Sequence, residues 1–230
     1  MSSEYRITAQ TTWDTIADSF DTTRQRPWNY CLRYIDSLPP NAVVADLGCG
    51  NGRHLFPCAE KCSHVIGVDL SQRFLHIILK KLFHKSITNV SLVHADVVQL
   101  PFIDNSFDAI LFLAALHNIQ GKDHRRRALA EVARTLKPQG TALISVWSRW
   151  QIRFYRHFLT QLLFRNREFG DIDISWRQHN LNIPRYYHLY SKSEFLRELQ
   201  GAALTIERLD SVRINSKRGA DNYFAVIKKR

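Results

Sequence analysis

The stretch that decides the fold is Val43-Val44-Ala45-Asp46-Leu47-Gly48-Cys49-Gly50-Asn51-Gly52. Its first half is an apolar run typical of a buried strand, and its second half places glycine at every other position. Glycine is needed where the backbone turns through positive φ and where a ligand must approach without a Cβ in the way. A strand that enters such a loop at the start of a helix can hold a dinucleotide or a phosphate, or can be a tight turn without a ligand.

Short apolar strands alternate with longer amphipathic helices around this stretch. Strands are expected at 42–45, 65–68, 90–93, 107–113 and 141–146, and helices at 5–38 and about 51–60, 72–84 and 123–136. A helix at 191–200 and strands at 204–209 and 223–227 complete the chain. The pattern predicts an α/β fold: a Rossmann-like, doubly wound, mostly parallel seven-stranded sheet with a C-terminal antiparallel hairpin.

Two acids follow the next two expected strands. Asp69 ends the second strand, 23 residues after Asp46, where its carboxylate can accept hydrogen bonds from both hydroxyls of a ribose. Asp96, within Ala95-Asp96-Val97, follows the third strand and is expected beside a slot that suits a base. These acids favour a ligand-binding loop over a purely structural turn.

The same order of elements resembles the class I S-adenosylmethionine-dependent methyltransferases over residues 38–146. Phe107-Asp108-Ala109-Ile110 and the late turn Leu136-Lys137-Pro138-Gln139-Gly140 complete the likeness, although the family usually has glycine where this chain has Gln139. A nicotinamide dehydrogenase is the competing interpretation, but the loop reads GxGxG rather than GxGxxG. The resemblance implies S-adenosyl-L-methionine as cofactor, held by Asp46, Gly48, Gly50, Gly52, Asp69, Leu70, Asp96, Val97 and Leu113.

The flanking segments resemble one family more narrowly, the tRNA wobble-uridine carboxymethyl methyltransferases. They are Trp13-Asp14-x-Ile16-Ala17-x-x-Phe20-Asp21-x-Thr23-Arg24-x-Arg26-Pro27-Trp28, Ala115-Leu116-His117-Asn118, Arg126-Arg127 and Pro184-Arg185-Tyr186-Tyr187-His188-Leu189-Tyr190. Asn118 stands where that family commonly has a second histidine, and Asn29 where it has proline. The resemblance implies esterification of 5-carboxymethyluridine in a tRNA anticodon loop, with a small zinc-binding activator subunit as partner.

Such a reaction needs positioning more than acid–base chemistry, because a carboxylate is already ionised at neutral pH. A cation should hold the carboxylate, and the planar arginine fork suits that task. The candidate catalytic residues are therefore Arg24 and Arg26 from the N-terminal segment and His117 after the fourth strand. Each has a plainer interpretation, since the arginines can be solvated and His117 can be a core histidine.

The charge of the chain is unevenly distributed. The whole chain has 32 Lys and Arg against 21 Asp and Glu, a formal net charge of +11. Residues 1–118 hold 10 of these cations and 11 acids, and residues 119–230 hold 22 cations and 10 acids. A basic half favours a phosphate-bearing partner such as RNA. The candidate tRNA-binding residues are Trp28, Arg125, Arg126, Arg127, Arg185 and Tyr186; for the aromatics, core packing stays open as the alternative.

We expect one domain over 1–230, with a helical lid at 1–38, a cofactor-binding core at 39–146, an aromatic and basic substrate-recognition insertion at 147–190, and a C-terminal helix and hairpin at 191–230. The insertion is too aromatic to be a disordered linker and too irregular in sequence to be another strand–helix unit. Four cysteines without paired CxxC motifs predict reduced thiols and no metal site, and a cytoplasmic location is expected. The alternatives are a small-molecule carboxyl, oxygen or carbon methyltransferase and a non-catalytic cofactor-binding partner.

Overall fold

The computed structural model describes residues 3–163, 167–216 and 218–229. Its strands are β1 (Val43–Leu47), β2 (His64–Asp69), β3 (Val90–His94), β4 (Phe107–Leu113), β5 (Leu136–Trp147), β6 (Asp171–Trp176), β7 (Ile183–His188), β8 (Leu204–Val212) and β9 (Asn222–Lys229). Seven of them form one sheet in the order β3-β2-β1-β4-β5-β9-β8. The five strands from β1 to β5 pair in parallel, and β9 runs antiparallel to both neighbours, which confirms the predicted fold class.

The helices lie on both faces of this sheet. They are α1 (Ser3–Thr23), α2 (Asn29–Asp36), α3 (Leu55–Lys61), α4 (Gln72–Lys85), α5 (Lys122–Thr135), α6 (Tyr155–Leu163) and α7 (Lys192–Gly201). The single helix expected over 5–38 is wrong, because the chain leaves the helix after Thr23 and re-enters it at Asn29. Pro27 explains the break, since proline disfavours a helical residue before it.

Alternation along the central strands gives the sheet two cores. Ala45 and Leu47 face one cluster of buried residues, whereas Val44 faces the other. Both faces of the central strands are therefore covered, as a doubly wound sheet requires. In the described part of the chain, no helix has both the length and the apolar character needed to cross a membrane.

The insertion at 147–190 has secondary structure of its own. Outside residues 164–166, which the structure does not describe, it contains α6 and an antiparallel pair formed by β6 and β7. Its aromatic residues pack as a third small core that includes Phe154, Phe158 and Tyr187. The insertion adds no strand to the main sheet, since β6 and β7 pair with each other.

Candidate functional site

A cavity of about 740 Å³ opens at the carboxyl edge of the parallel strands. Its walls come from the loops after β1, β2, β3 and β4, from α1 and the segment that follows it, and from β6, β7 and the β8–β9 loop. Ligands of doubly wound sheets bind at this edge. The described chain therefore places the predicted cofactor loop and part of the insertion around one space.

The glycine loop has the backbone that its sequence requires. Gly48 and Gly50 have φ of +67° and +54°, in the left-handed region. A Cβ on Gly48 would lie 2.5 Å from the Cβ of Ala115, so the loop packs closely on the end of β4. A Cβ on Gly50 would meet nothing within 4 Å, because that residue borders the cavity. The predicted cofactor residue Gly52 does not line the cavity; its Cβ position is 2.8 Å from a ring carbon of Phe56 instead.

Two buried carboxylates lie at the cofactor end. Burial and the charge of Asp69 raise the pKa of Asp46 to about 7, and its Oδ2 is buried without a hydrogen-bond partner among the described residues. Burial likewise raises the pKa of Asp69 to about 6, although the backbone N–H groups of Ser71 and Gly50 each donate to it at 2.8 Å. Neither carboxyl forms a salt bridge among the described residues, although the charge of Arg53 acts to lower the pKa of Asp46. A ligand that brings positive charge and hydroxyl donors would satisfy them.

The remaining predicted cofactor residues complete the same end. Leu70, Asp96, Val97 and Leu113 line the cavity, and the Val98 N–H donates to Asp96 at 3.0 Å and fixes its carboxylate. The orphaned oxygen of Asp46 and the open space at Gly50 fit S-adenosylmethionine, which has a cationic amino acid part and a ribose. This end of the cavity therefore matches the cofactor expected from the sequence.

The segment after α1 covers the opposite side of the cavity. Arg24 and Arg26 both line it, with exposed side chains. The side chain of Asn51, in the glycine loop, donates to the Arg24 carbonyl at 3.1 Å and to Asp21 Oδ1 at 2.9 Å. Lys81 of α4 also contacts Asp21. The glycine loop thus positions the arginine-bearing segment directly.

His117 is buried, yet it lines the cavity. Its Nδ1 accepts the backbone N–H of Trp147 at 3.0 Å, so the neutral ring carries its proton on Nε2. Burial and the nearby charges of His188 and Arg185 lower its pKa to about 3. At neutral pH His117 is therefore a neutral hydrogen-bond donor and not a cation.

One region of the cavity wall combines cations with aromatic rings. Arg53 lies 4.3 Å from the ring centre of Trp28, Arg153 lies 5.5 Å from that of Trp147, and Arg185 lies 4.9 Å from that of Trp176. Among the described residues, none of the five arginines that line the cavity forms a salt bridge; they are Arg24, Arg26, Arg53, Arg153 and Arg185. This region of the cavity wall is built for an anionic ligand with a planar group.

Several residues of the cavity lining were not predicted from the sequence. Arg53, Trp147, Arg153, Trp176, Tyr187 and Asn222 line the cavity without having been predicted there. For Arg53 the signal was its position directly after the glycine loop. The others come from segments whose path could not be deduced without knowing how the insertion folds.

The predicted tRNA-binding residues do not form one group. Arg125 is fully buried and pairs with Glu168 and Glu198, so its assignment to a tRNA phosphate is wrong. Arg185 is buried in the cavity wall, where it faces the cavity and not the outer surface. Tyr186 lies outside the cavity lining and donates its hydroxyl proton to Asp171 at 2.6 Å. Trp28 lines the cavity, half-buried, while Arg126 and Arg127 are exposed on α5.

Comparison with known proteins gives a consistent result. The family described as "Methyltransferase domain" matches residues 45–144. A protein of Encephalitozoon cuniculi named "Putative methyltransferase" is 32% identical, over 80% of this chain and 80% of its own length. The tRNA (carboxymethyluridine(34)-5-O)-methyltransferase of Schizosaccharomyces pombe is 29% identical, over 79% and 82%. The enzyme of that name from Mus musculus is 34% identical over 60% of this chain, and the chain spans a fifth of its length.

Solved structures share the fold at low sequence identity. A SAM-dependent methyltransferase of Methanosarcina mazei has a TM-score of 0.74 and 19% identity, over 89% of this chain and 98% of its own. A chain solved as the "Complex between the Haloferax volcanii Trm112 methyltransferase activator and the putative methyltransferase" has a TM-score of 0.69 and 16% identity, over 96% of both chains. These structures share the fold over most of the chain.

Proposed function

Because this chain belongs to the class I S-adenosylmethionine-dependent methyltransferases, we propose that it esterifies the carboxymethyl group of a wobble uridine in tRNA. The product would be 5-methoxycarbonylmethyluridine. Relatives named for this reaction are about 30% identical, and one of them is matched over four fifths of its length. The cofactor is S-adenosylmethionine, held by the carboxyls and glycine loop after β1, β2 and β3.

One observation carries the proposal: the cavity wall holds arginines and aromatic rings, and none of these arginines forms a salt bridge among the described residues. Asp221 also lies in this wall, and its charge opposes the burial that lowers the pKa of Arg153, but its carboxylate already accepts the backbone N–H groups of Ile214, Asn215 and Ser216. A pyrimidine with a carboxylate substituent and a neighbouring phosphate satisfies both features, because rings stack on aromatic faces and anions pair with guanidinium groups.

The reaction asks little of acid–base chemistry. Bound S-adenosylmethionine supplies an electrophilic methyl group, so a carbon–oxygen bond forms while the carbon–sulfur bond breaks and its electron pair stays on sulfur. A carboxylate is already ionised at neutral pH, so no proton leaves the substrate. The neutral His117 is consistent with this, since it can donate a hydrogen bond from Nε2 without acting as a base. The chain's remaining task is to orient the substrate and exclude water.

Other phosphates of the RNA would be bound outside the cavity. Arg126 and Arg127 are exposed at the start of α5. They follow closely in sequence after Asn118, a residue that lines the cavity. Replacing both with alanine should weaken tRNA binding and flatten its dependence on salt, while cofactor binding stays unchanged. Unaltered tRNA affinity at low salt would remove these residues from the proposal.

A separate activator subunit is also part of the proposal. The structural relative from Haloferax volcanii was solved with a methyltransferase activator. In this chain β3 is an edge strand with half-exposed residues, and α4 beside it exposes Leu79 and Phe83. An uncovered strand edge next to apolar side chains suits a partner that adds a strand and covers them. Co-purification with a small zinc-binding protein, abolished by Phe83→Glu, would support this partner.

The decisive experiment is incubation with labelled S-adenosylmethionine and tRNA that carries 5-carboxymethyluridine, followed by mass spectrometry of the nucleosides. We expect a base-labile methyl ester at the wobble position. Label found only on a ring carbon, on ribose or on a small molecule would reject the proposal and favour another methyltransferase activity of the same fold.

A further inference from the structure

Arg185 of β7 occupies an unusual environment. Its side chain is buried at 7% exposure, yet it lines the cavity. Three aromatic rings surround the guanidinium, with ring centres 4.9 Å away for Trp176, 5.1 Å for Tyr187 and 5.7 Å for Trp13. The Trp176 indole is itself fixed by a 2.8 Å hydrogen bond from its Nε1–H to Ser19 of α1. The guanidinium therefore lies in a rigid aromatic cage that several elements build together.

The comparison with the chain's other buried arginines is informative. Arg125, at 0% exposure, pairs with two glutamates, and Arg149, at 6% exposure, pairs with Glu194 at 2.5 Å. Across residues 3–163, 167–216 and 218–229, Arg185 pairs with no carboxylate, and its Nε, like the Nε and Nη1 of Arg125, is buried without a hydrogen-bond partner. A desolvated charge normally needs a counter-charge as well as stacking. The fold supplies that counter-charge for two buried arginines and not for Arg185.

A second arginine, Arg24, contacts the same aromatic ring as Arg185. Arg24 also stacks on Trp176, 5.3 Å from its ring centre, and its charge together with burial lowers the pKa of Arg185. Two unpaired guanidinium groups on one ring repel each other, and an anion between them would relieve that repulsion. They differ in exposure, because Arg24 is exposed to solvent while Arg185 is enclosed.

We propose that Arg185 binds the carboxylate of the substrate and selects a carboxymethyl group over its uncharged amide. This inference rests on the proposed function and divides the work among the cavity arginines. The enclosed guanidinium of Arg185 binds one or both oxygens of the carboxylate. The exposed Arg24 and Arg26 bind the phosphate of the same nucleotide. Burial and the charge of Arg185 help to lower the pKa of His117, which is therefore neutral. Its Nε2–H can donate a further hydrogen bond to that carboxylate.

The chemistry predicts a specific kinetic signature for this residue. The carboxylate loses its negative charge as the ester forms, so a cation paired with it stabilises the bound substrate more than the transition state. Removal of Arg185 should therefore raise KM strongly and change kcat little. A residue that merely supported the fold would lower stability, cofactor affinity and kcat together.

The test compares Arg185→Gln and Arg185→Lys with Arg197→Gln, an exposed arginine on α7 outside the cavity. Each variant is first checked for its melting temperature and its affinity for S-adenosylhomocysteine. Binding of 5-carboxymethyluridine and 5-carbamoylmethyluridine nucleosides is then measured by calorimetry with S-adenosylhomocysteine present. Steady-state methylation of carboxymethyluridine-containing tRNA gives kcat and KM.

We expect wild type to prefer the carboxylate nucleoside, and Arg185→Gln to lose at least about 30-fold in that affinity, so that the preference disappears. Arg185→Lys should recover part of the loss, since it keeps the charge without the planar fork. Equal binding of the two nucleosides by wild type, or an unchanged preference in Arg185→Gln, would overturn the inference. The nucleoside measurement does not require turnover, so absence of methyl ester on tRNA would reject the proposed function separately.

Discussion

Replacement of Arg125 by alanine is the sharpest test of how the structure divides the chain's cations. Arg125 sits in the first turns of α5 with no solvent exposure, 2.6 Å from Glu168 and 3.4 Å from Glu198. Its guanidinium also lies 5.7 Å from the ring centre of Tyr190. The same stretch of sequence was predicted to bind tRNA phosphates, so the variant separates a structural arginine from an RNA-binding one.

The size of the effect follows from what is left behind. Glu198 is buried, and its other oxygen accepts the Tyr190 hydroxyl proton at 2.8 Å, so alanine at position 125 leaves a buried carboxylate without the Arg125 cation. Breaking a buried ion pair in this way costs about 3–5 kcal/mol of unfolding free energy. For a chain of this size that corresponds to a melting temperature about 6–20 °C lower.

The assay is thermal or urea unfolding of Arg125→Ala beside Arg126→Ala, a control one residue away on an exposed position. Arg126→Ala should change stability by less than about 0.5 kcal/mol. Adding Glu198→Gln to Arg125→Ala removes the stranded charge, so the double variant should be more stable than the sum of the single effects. If Arg125→Ala melted like wild type while binding tRNA more weakly, the structural assignment of Arg125 would be refuted.

Three further outcomes follow from the cavity. The pKa values of Asp46 and Asp69 are raised to about 7 and about 6, and a cationic cofactor needs both carboxyls ionised. The affinity for S-adenosylmethionine should therefore rise with pH up to about pH 8 and fall below pH 7. Titration calorimetry should show that this pH dependence is largely lost in Asp46→Asn. Since His117 has a pKa of about 3 and the substrate carboxylate is already ionised, kcat at saturating cofactor should stay flat from about pH 6 to 9, and a limb near pH 6.5 would contradict a neutral His117. Asn51→Ala removes the hydrogen bond to the Arg24 carbonyl, so limited trypsin digestion should cut after Arg24 several-fold faster, and unchanged digestion would show that Asn51 does not hold the lid.

The features that sequence predicted well are local ones. The glycine loop and the acid that ends β2 depend on a strand, a turn and a fixed spacing, all contained within about 25 residues. The sequence predicts these residues because a backbone with positive φ and a carboxylate at a strand end are required wherever such a ligand binds this edge of the sheet. For the same reason Gly48, Gly50 and Asp69 lie where they were expected.

The features that sequence could not predict depend on distant partners. Arg125, Arg126 and Arg127 are neighbours in sequence, but successive helix positions point about 100° apart, so only the first faces the interior. Its partners are 43 and 73 residues away along the chain. Cations in the first turn of a helix conflict with its dipole. The buried Glu198 and the partly exposed Glu168 neutralise Arg125, and no local pattern in the sequence indicates them.

The net charge of the two halves of the chain proves to be a poor guide to the site. A near-neutral half and a basic half predict that RNA binding lies mainly in the second half, with Arg24 and Arg26 of the first half as the exception. The anion-binding region of the cavity wall draws Arg24 and Arg53 from the first half and Arg153 and Arg185 from the second. What these side chains share is the lack of an acidic partner, whereas Arg125, from the basic half, is neutralised within the fold. The arginines that indicate an anionic substrate are those that form no ion pair within the fold. Among the described residues, Arg185 is the one deeply buried arginine without a carboxylate partner.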